Sequence, residues 1–507
     1  MEQQSESQFQ RMILSIVLLA IMLMACVTHA SRYLNLSGDE LFFYFLGMKD
    51  NWSDYRPHYE QIRDEFVRER QEPYFQSLSS VQLDNFGSAE YYLGLEARSF
   101  SEYRLPRLVW GAVSGIIAPT NEIVRNDEAF SEGLADSVFF MLMAGYLMVC
   151  LVVIAITYRL SAYAKAALIT FVLITFFKES FVNIDTSSYY RIFPDVVGAF
   201  LSTAVSPSKD FMTFAFSGRS LLLLVLPAYL ACRWDLPSKN SEASLGSYPI
   251  LPILTLVHAA HGTLVTGMFL VIDGLMWRQR LTKPLVLASY AASFGLASDG
   301  GIAANPWIFA FLLLMTLCLA LAGAIGARGA AREALGSRES HTGTGHAIWT
   351  TWRGEALLLT IFAFAYLALA QTVLRRFHLQ GWDYWWVVVS GIRFGSIFTV
   401  MLLFTLSWLG VGLASRKLTG RLISSVRKTA LATLAAPLIL MIVVATDLSF
   451  DLASVRARLR AQSASYLQQM NRPLSFRETN ELHVIWLSII KSASHNKSYP
   501  VKLQLVD

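Results

Sequence analysis

Apolar runs almost free of charge recur along this chain from Met12 to about residue 446, more than any soluble core would bury. A helix of about 20 apolar residues crosses the hydrocarbon layer of a bilayer, because its backbone N–H and C=O groups are all satisfied within the segment. The runs lie near 12–30, 137–158, 161–177, 193–206, 212–232, 250–277, 284–298, 304–326, 355–374, 386–413 and 429–446. They predict an all-α protein, a polytopic bundle of about 10–11 transmembrane helices. The runs at 193–206 and 284–298 are short for a bilayer and suit tilted, broken or re-entrant segments. Hydrophobic residues make up 54% of the chain and charged residues 16%, against about 25% charged in a typical soluble domain. The net charge of +5 is therefore an orientation signal in loops, and no nucleic-acid partner is expected. Cys26, Cys150, Cys232 and Cys318 all fall in apolar runs, as small buried hydrophobes do, rather than as a disulfide framework or a metal site.

Basic residues orient the bundle. Arg159 and Lys165, then Arg278, Arg280 and Lys283, then Arg328, Arg332 and Arg338, then Arg416, Lys417, Arg421, Arg427 and Lys428 occupy four short connections. All four face the cytoplasm if the 193–206 run counts as a crossing. Residues 1–30 then read as a signal anchor and 31–135 as a large periplasmic loop. Residues 136–446 form the multispan bundle, with a flexible cytoplasmic linker at 327–347, and the tail 447–507 lies outside. Arg456, Arg458 and Arg460 run against this trend, since they fall on the outer side.

Both outer segments carry helix signals. In the loop, Tyr55 to Arg70 is amphipathic, and Phe42, Phe43, Tyr44 and Phe45 suit the membrane interface. In the tail, Leu482, Ile485, Trp486, Ile489 and Ile490 paint one apolar stripe over about Arg477 to Lys491, and Ser475 with Glu478 fits a capping box.

Chemistry concentrates just beyond the first span, at Ser37-Gly38-Asp39-Glu40. A rigid carboxylate pair at the membrane surface suits a general base and an anchor for a hydroxyl or a metal. The same spacing is that of a capping box, and the two roles are compatible. A first span, an acidic pair opening an aromatic-rich outer loop, and roughly ten further spans resemble the GT-C superfamily of membrane glycosyltransferases. The Asp39, Glu40, Phe43 pattern is similar to that family's first-loop acidic motif. Tyr103-Arg104-Leu105-Pro106-Arg107 looks like a segment late in the same loop of some bacterial members. Arg191-Ile192-Phe193-Pro194-Asp195 and the pair His258 and His261 also fall where related proteins carry similar residues. The resemblance implies Asp39 and Glu40 as catalytic residues, with Arg104, Arg107, Arg191 and Asp195 binding substrate. It implies a polyprenyl-phosphate-linked sugar as donor and a glycan, lipid or protein as acceptor; membrane lipids surround the bundle, and a bacterial inner membrane is the default location. A divalent cation is the one cofactor it suggests, but the second acidic motif of many members is missing, so no residue is assigned as a metal ligand.

A lipid-phosphate leaving group calls for cations on the outer face. Arg375, Arg376 and His378 follow the run at 355–374 on that side, and Arg393 lies inside the next run. The plainer readings are arginines that snorkel to headgroups and a span that starts near residue 394. His258 and His261, with Asp273 further along, lack a third ligand at useful spacing and read as a helix-packing pair. Gly391 and Gly395 fit close helix packing, and Trp382, Tyr384, Trp385 and Trp386 an interfacial belt. Two other classes compete. A transporter or lipid-linked glycan flippase needs ionisable groups through the bilayer midplane, where few are found. A polysaccharide polymerase typically carries its large outer loop late, whereas here it comes first.

Overall fold

The structure is a computed structural model, and it describes residues 2–33, 36, 41, 127–176, 197–198, 218–235, 246–257, 259–298, 352–377, 395, 397–413, 439–442 and 451–470. Among these residues all regular structure is helical. The main helices are α1 (Glu2–Tyr33), α2 (Asp127–Thr157), α3 (Ala162–Phe176), α4 (Gly218–Asp235), α5 (Ile250–Val257), α6 (Ala259–Met276), α7 (Pro284–Ser298), α8 (Trp352–Phe377), α9 (Ile397–Leu413) and α10 (Leu452–Met470). A 3-10 turn, Arg278–Thr282, joins α6 to α7. Two helical stretches, Ser131–Thr157 in α2 and Gly354–Phe377 in α8, are long and apolar enough to cross a membrane. The helical loop expected within 31–135 and the tail helix Arg477–Lys491 lie outside the described residues.

Side-chain pattern decides how each helix sits. In α3 the apolar residues run all round, so it is buried all round: Ala164, Ala167, Leu168, Phe171 and Val172 are all inside. In α2 only one stripe is inside (Leu134, Val138, Val149, Cys150, Val153), while Phe140, Leu147 and Leu151 on another face are exposed. α8 shows the same split, with Leu359 and Ala363 buried and Leu357, Ile361, Phe364 and Leu369 exposed. One apolar core links all ten helices, α8 joining it through Leu359. α9 enters it through Phe404 and Trp408, whose rings meet Phe171 at 6.0 Å and Tyr163 at 4.8 Å.

Polar contacts define two ends. At one, the Ser161 N–H at the start of α3 donates to Asp235 at the close of α4 at 2.7 Å. Nearby, Lys165 Nζ donates to Ser15 of α1 at 2.8 Å and to the Tyr158 carbonyl at 2.9 Å. At the other, α10 lies on the start of α2 and the close of α1.

The run 250–277, read from sequence as one span, is folded back on itself. A continuous helix would hold Tyr248 and Asp273 about 37 Å apart at 1.5 Å per residue. Instead the Tyr248 hydroxyl donates to Asp273 at 2.6 Å. The reversal falls between α5 and α6, and the backbones approach so closely that a Cβ at Gly262 would collide with the Thr255 backbone. This changes the orientation count. α3 and α4 run antiparallel, and α5–α6 returns to the end at which it starts, which brings the first two basic clusters together; most of 193–206 and the other two clusters lie outside the described residues. Arg159, Lys165, Arg280 and Lys283 share one end.

Candidate functional site

Five helical elements converge on one fully buried knot of charge at the basic end. Arg233 lies in the last turn of α4, where a cation complements the helix dipole, and Glu355 lies in the first turn of α8, where an anion does. Asp273 comes from α6, Tyr248 from the approach to α5, and Tyr290 from α7. Arg233 grips Glu355 with a two-pronged pair, Nε to Oε2 at 2.8 Å and one terminal nitrogen to Oε1 at 2.8 Å. The same terminal nitrogen donates to Asp273 Oδ1 at 2.5 Å. Asp273 Oδ2 then accepts the Tyr248 and Tyr290 hydroxyls at 2.6 and 2.7 Å. Glu355 is completed by two indole N–H groups, Trp277 to Oε1 at 2.8 Å and Trp234 to Oε2 at 3.1 Å. Both carboxylates are thus saturated with donors, the condition under which buried charge is tolerated. At the rim, Arg280 stacks on the Trp277 ring at 4.1 Å.

The opposite end is built differently. Arg456 and Arg460 of α10 both pair with Asp136 of α2, the Arg460 contact at 2.9 Å, and Arg460 also reaches Glu132 at 3.3 Å. Arg458 donates to the Ser31 and Ala30 carbonyls at 2.8 and 3.2 Å, capping carbonyls near the C-terminal end of α1. The three arginines that broke the basic-residue trend therefore have acidic or carbonyl partners at this end. Further along α10, Gln462 accepts the Leu36 N–H at 2.7 Å and Tyr466 donates to the Leu36 carbonyl at 2.8 Å. Asp451 caps α10 through the Ser454 N–H at 2.9 Å, and the Ser454 bonds hold its carboxyl below the usual carboxylate range.

Of the residues singled out from sequence, Asp39, Glu40, Arg104, Arg107, Arg191, Asp195, His378 and Arg393 lie outside the described residues, as does His258. Leu36 and Leu41, which bracket Asp39 and Glu40, are both fully buried in the main core. Arg375 and Arg376 are exposed in the last turn of α8, where they also complement its dipole. They stand about 30 Å along the helix from Glu355, at 1.5 Å per residue. His261 is buried on α6, and Asp273 is engaged by Arg233 and the tyrosines. Among the described residues no three His, Cys, Asp or Glu side chains gather as a metal site.

Sequence reasoning missed Arg233 and Glu355 and gave Asp273 only a minor part. A signal existed: Asp273 is a lone acid inside an apolar run, and Glu355 and Arg233 sit at the edges of two others. Compared with family models, curated proteins and solved structures, the chain finds no match.

Proposed function

We propose that the protein is a multi-pass inner-membrane glycosyltransferase that moves a sugar from a polyprenyl-phosphate carrier to a glycan, lipid or protein at the outer face. The observation that carries this reading is the seating of Leu36 and Leu41, on either side of Asp39-Glu40, in the core at the end away from the basic loops. Carboxylates attached to a chain fixed on both flanks suit a base that must meet one acceptor hydroxyl. Asp39 takes the acceptor proton as the acceptor oxygen bonds to the anomeric carbon. The bond from that carbon to phosphate breaks, and the phosphate leaves on its lipid. The exposed Arg375 and Arg376, far along α8 from the basic end, are suited to receive that charge. The exposed apolar faces of α2 and α8 favour lipid as their solvent.

Asp39→Asn is expected to abolish sugar transfer in a membrane assay with polyprenyl-phosphate sugar, at unchanged expression and folding. An active Asp39→Asn variant would reduce Asp39 to a cap. Reporter fusions at residues 90 and 480 are expected outside and one at 335 inside, and a cytoplasmic residue 90 would defeat the scheme. One observation favours a second reading, a lipid-linked glycan transporter: α5–α6 is a broken helix closed by buried charge, a device transporters use. Movement of lipid-linked glycan across vesicles without sugar transfer would select it.

A further inference from the structure

α10 turns three stripes to the rest of the molecule, each built on i, i+4 spacing. Val455, Leu459 and Leu467 are buried in the main core. Arg456 and Arg460 take Asp136 of α2. The third stripe, Arg458, Gln462 and Tyr466, reaches main-chain atoms of residues 30–36. Arg458 meets the Ala30 and Ser31 carbonyls near the close of α1. One and two turns further along α10, about 6 and 12 Å at 1.5 Å per residue, Gln462 and Tyr466 both meet Leu36. The first accepts its N–H at 2.7 Å and the second donates to its carbonyl at 2.8 Å.

Burial and hydrogen bonding do different things to Leu36. Its side chain is fully buried, but apolar burial is non-directional and leaves the peptide planes on either side free to turn. Hydrogen bonds are directional, and here an acceptor and a donor hold both main-chain groups of one residue. That fixes the direction in which the chain leaves Leu36. Asp39 comes three residues later and two before the buried Leu41, so its Cα lies within about 11 Å of one and about 7 Å of the other. So short a reach leaves little slack to absorb a rotation at Leu36. A helix that only closed the end of the bundle would need its apolar stripe and the Asp136 pairs. It would not need both main-chain groups of a residue 426 and 430 positions away.

We infer that Gln462 and Tyr466 are positioning residues: they set the main-chain direction at Leu36 and, through it, the aim of Asp39 and Glu40. What the two carboxylates then do rests on the transfer reading; the clamp on Leu36 does not. α10 belongs to the tail, so the last part of the chain completes a site that the first part opens.

The test compares the full-length protein in lipid nanodiscs with Gln462→Leu, Tyr466→Phe and Asp136→Asn. Gln462→Leu removes the acceptor. Tyr466→Phe removes a hydroxyl alone, so it keeps the packing and serves if Gln462→Leu does not fold. Asp136→Asn loosens α10 through its other polar stripe. Amide exchange at Leu36 should quicken at least about tenfold in Gln462→Leu and about threefold in Tyr466→Phe, and keep its native rate in Asp136→Asn. With a polyprenyl-phosphate sugar as donor, both clamp variants should lower kcat at least about tenfold at unchanged donor KM, and Asp136→Asn should keep the native kcat. Native exchange at Leu36 in both clamp variants overturns the clamp. Faster exchange with native kcat, or an equal loss of kcat in Asp136→Asn, overturns the positioning role. A native protein that transfers no sugar yet shows the exchange response removes the transfer reading and leaves the clamp standing.

Discussion

The two ends of the molecule solve the same problem, joining helices through charge, under opposite conditions. At the basic end Arg233, Asp273 and Glu355 are sealed, with side chains at most 3% exposed. At the other end Arg456 is 43% exposed, Arg460 33% and Asp136 22%. A sealed charge has no water to fall back on, so removing a partner strands it, whereas a half-wet pair exchanges its partner for water. The knot should therefore be rigid in its composition and indifferent to salt. The pairs at the other end should be tolerant and screened.

Arg233→Ala should produce the largest effect. It leaves two buried carboxylates without their cation and should cost about 3–5 kcal/mol in reversible unfolding. Arg233→Lys keeps the charge but not the two-pronged geometry, and should recover only part of the loss. A cost under about 1 kcal/mol for Arg233→Ala would erase the distinction between the ends.

Asp136→Asn removes the acidic centre that Arg456 and Arg460 share. Because all three groups keep contact with water, the expected cost is about 1 kcal/mol or less. Raising salt from about 0.05 to about 1 M should shrink that cost further while leaving the Arg233→Ala cost unchanged. Equal salt dependence at both ends would mean that the knot admits water.

How far the sequence foresaw this contrast depends on the residue. Helices and apolar faces follow from periodicity and run length, and α1, α2 and α8 lie where the runs predict them. The fold-back of α5 onto α6 does not follow, because the apolar character of 250–277 is the same on both sides of the break, so the pattern carries no mark of reversal. Tyr248 reaching Asp273 and the close approach of Gly262 to the Thr255 backbone reveal it. The knot was half visible: an acid within an apolar run invites a partner, but that partner, Arg233, is 40 residues away, and its second acid, Glu355, is 122 residues from it, both at run edges where snorkelling explains a charge equally well. Arg456, Arg458 and Arg460 were visible as anomalies, and the acids and the carbonyls that receive them were not.

The smallest effect separates local from long-range charge at the wet end. Asp451 is fully exposed and acts on α10 alone, through the Ser454 N–H. Its folded carboxyl titrates lower than in the unfolded chain, so the cap's contribution is complete above about pH 4, the ordinary carboxylate range, and is lost as pH falls through the lower folded value. Amide exchange at Ser454, referenced to Asp451→Asn, should lose protection over that acid window, because the amide variant caps without titrating. Leu36, held by Gln462 further along α10, should keep its protection over the same window. If Leu36 opened together with Ser454, the cap and the docking of α10 would be one cooperative unit, and the wet end would be more tightly coupled than its exposure implies.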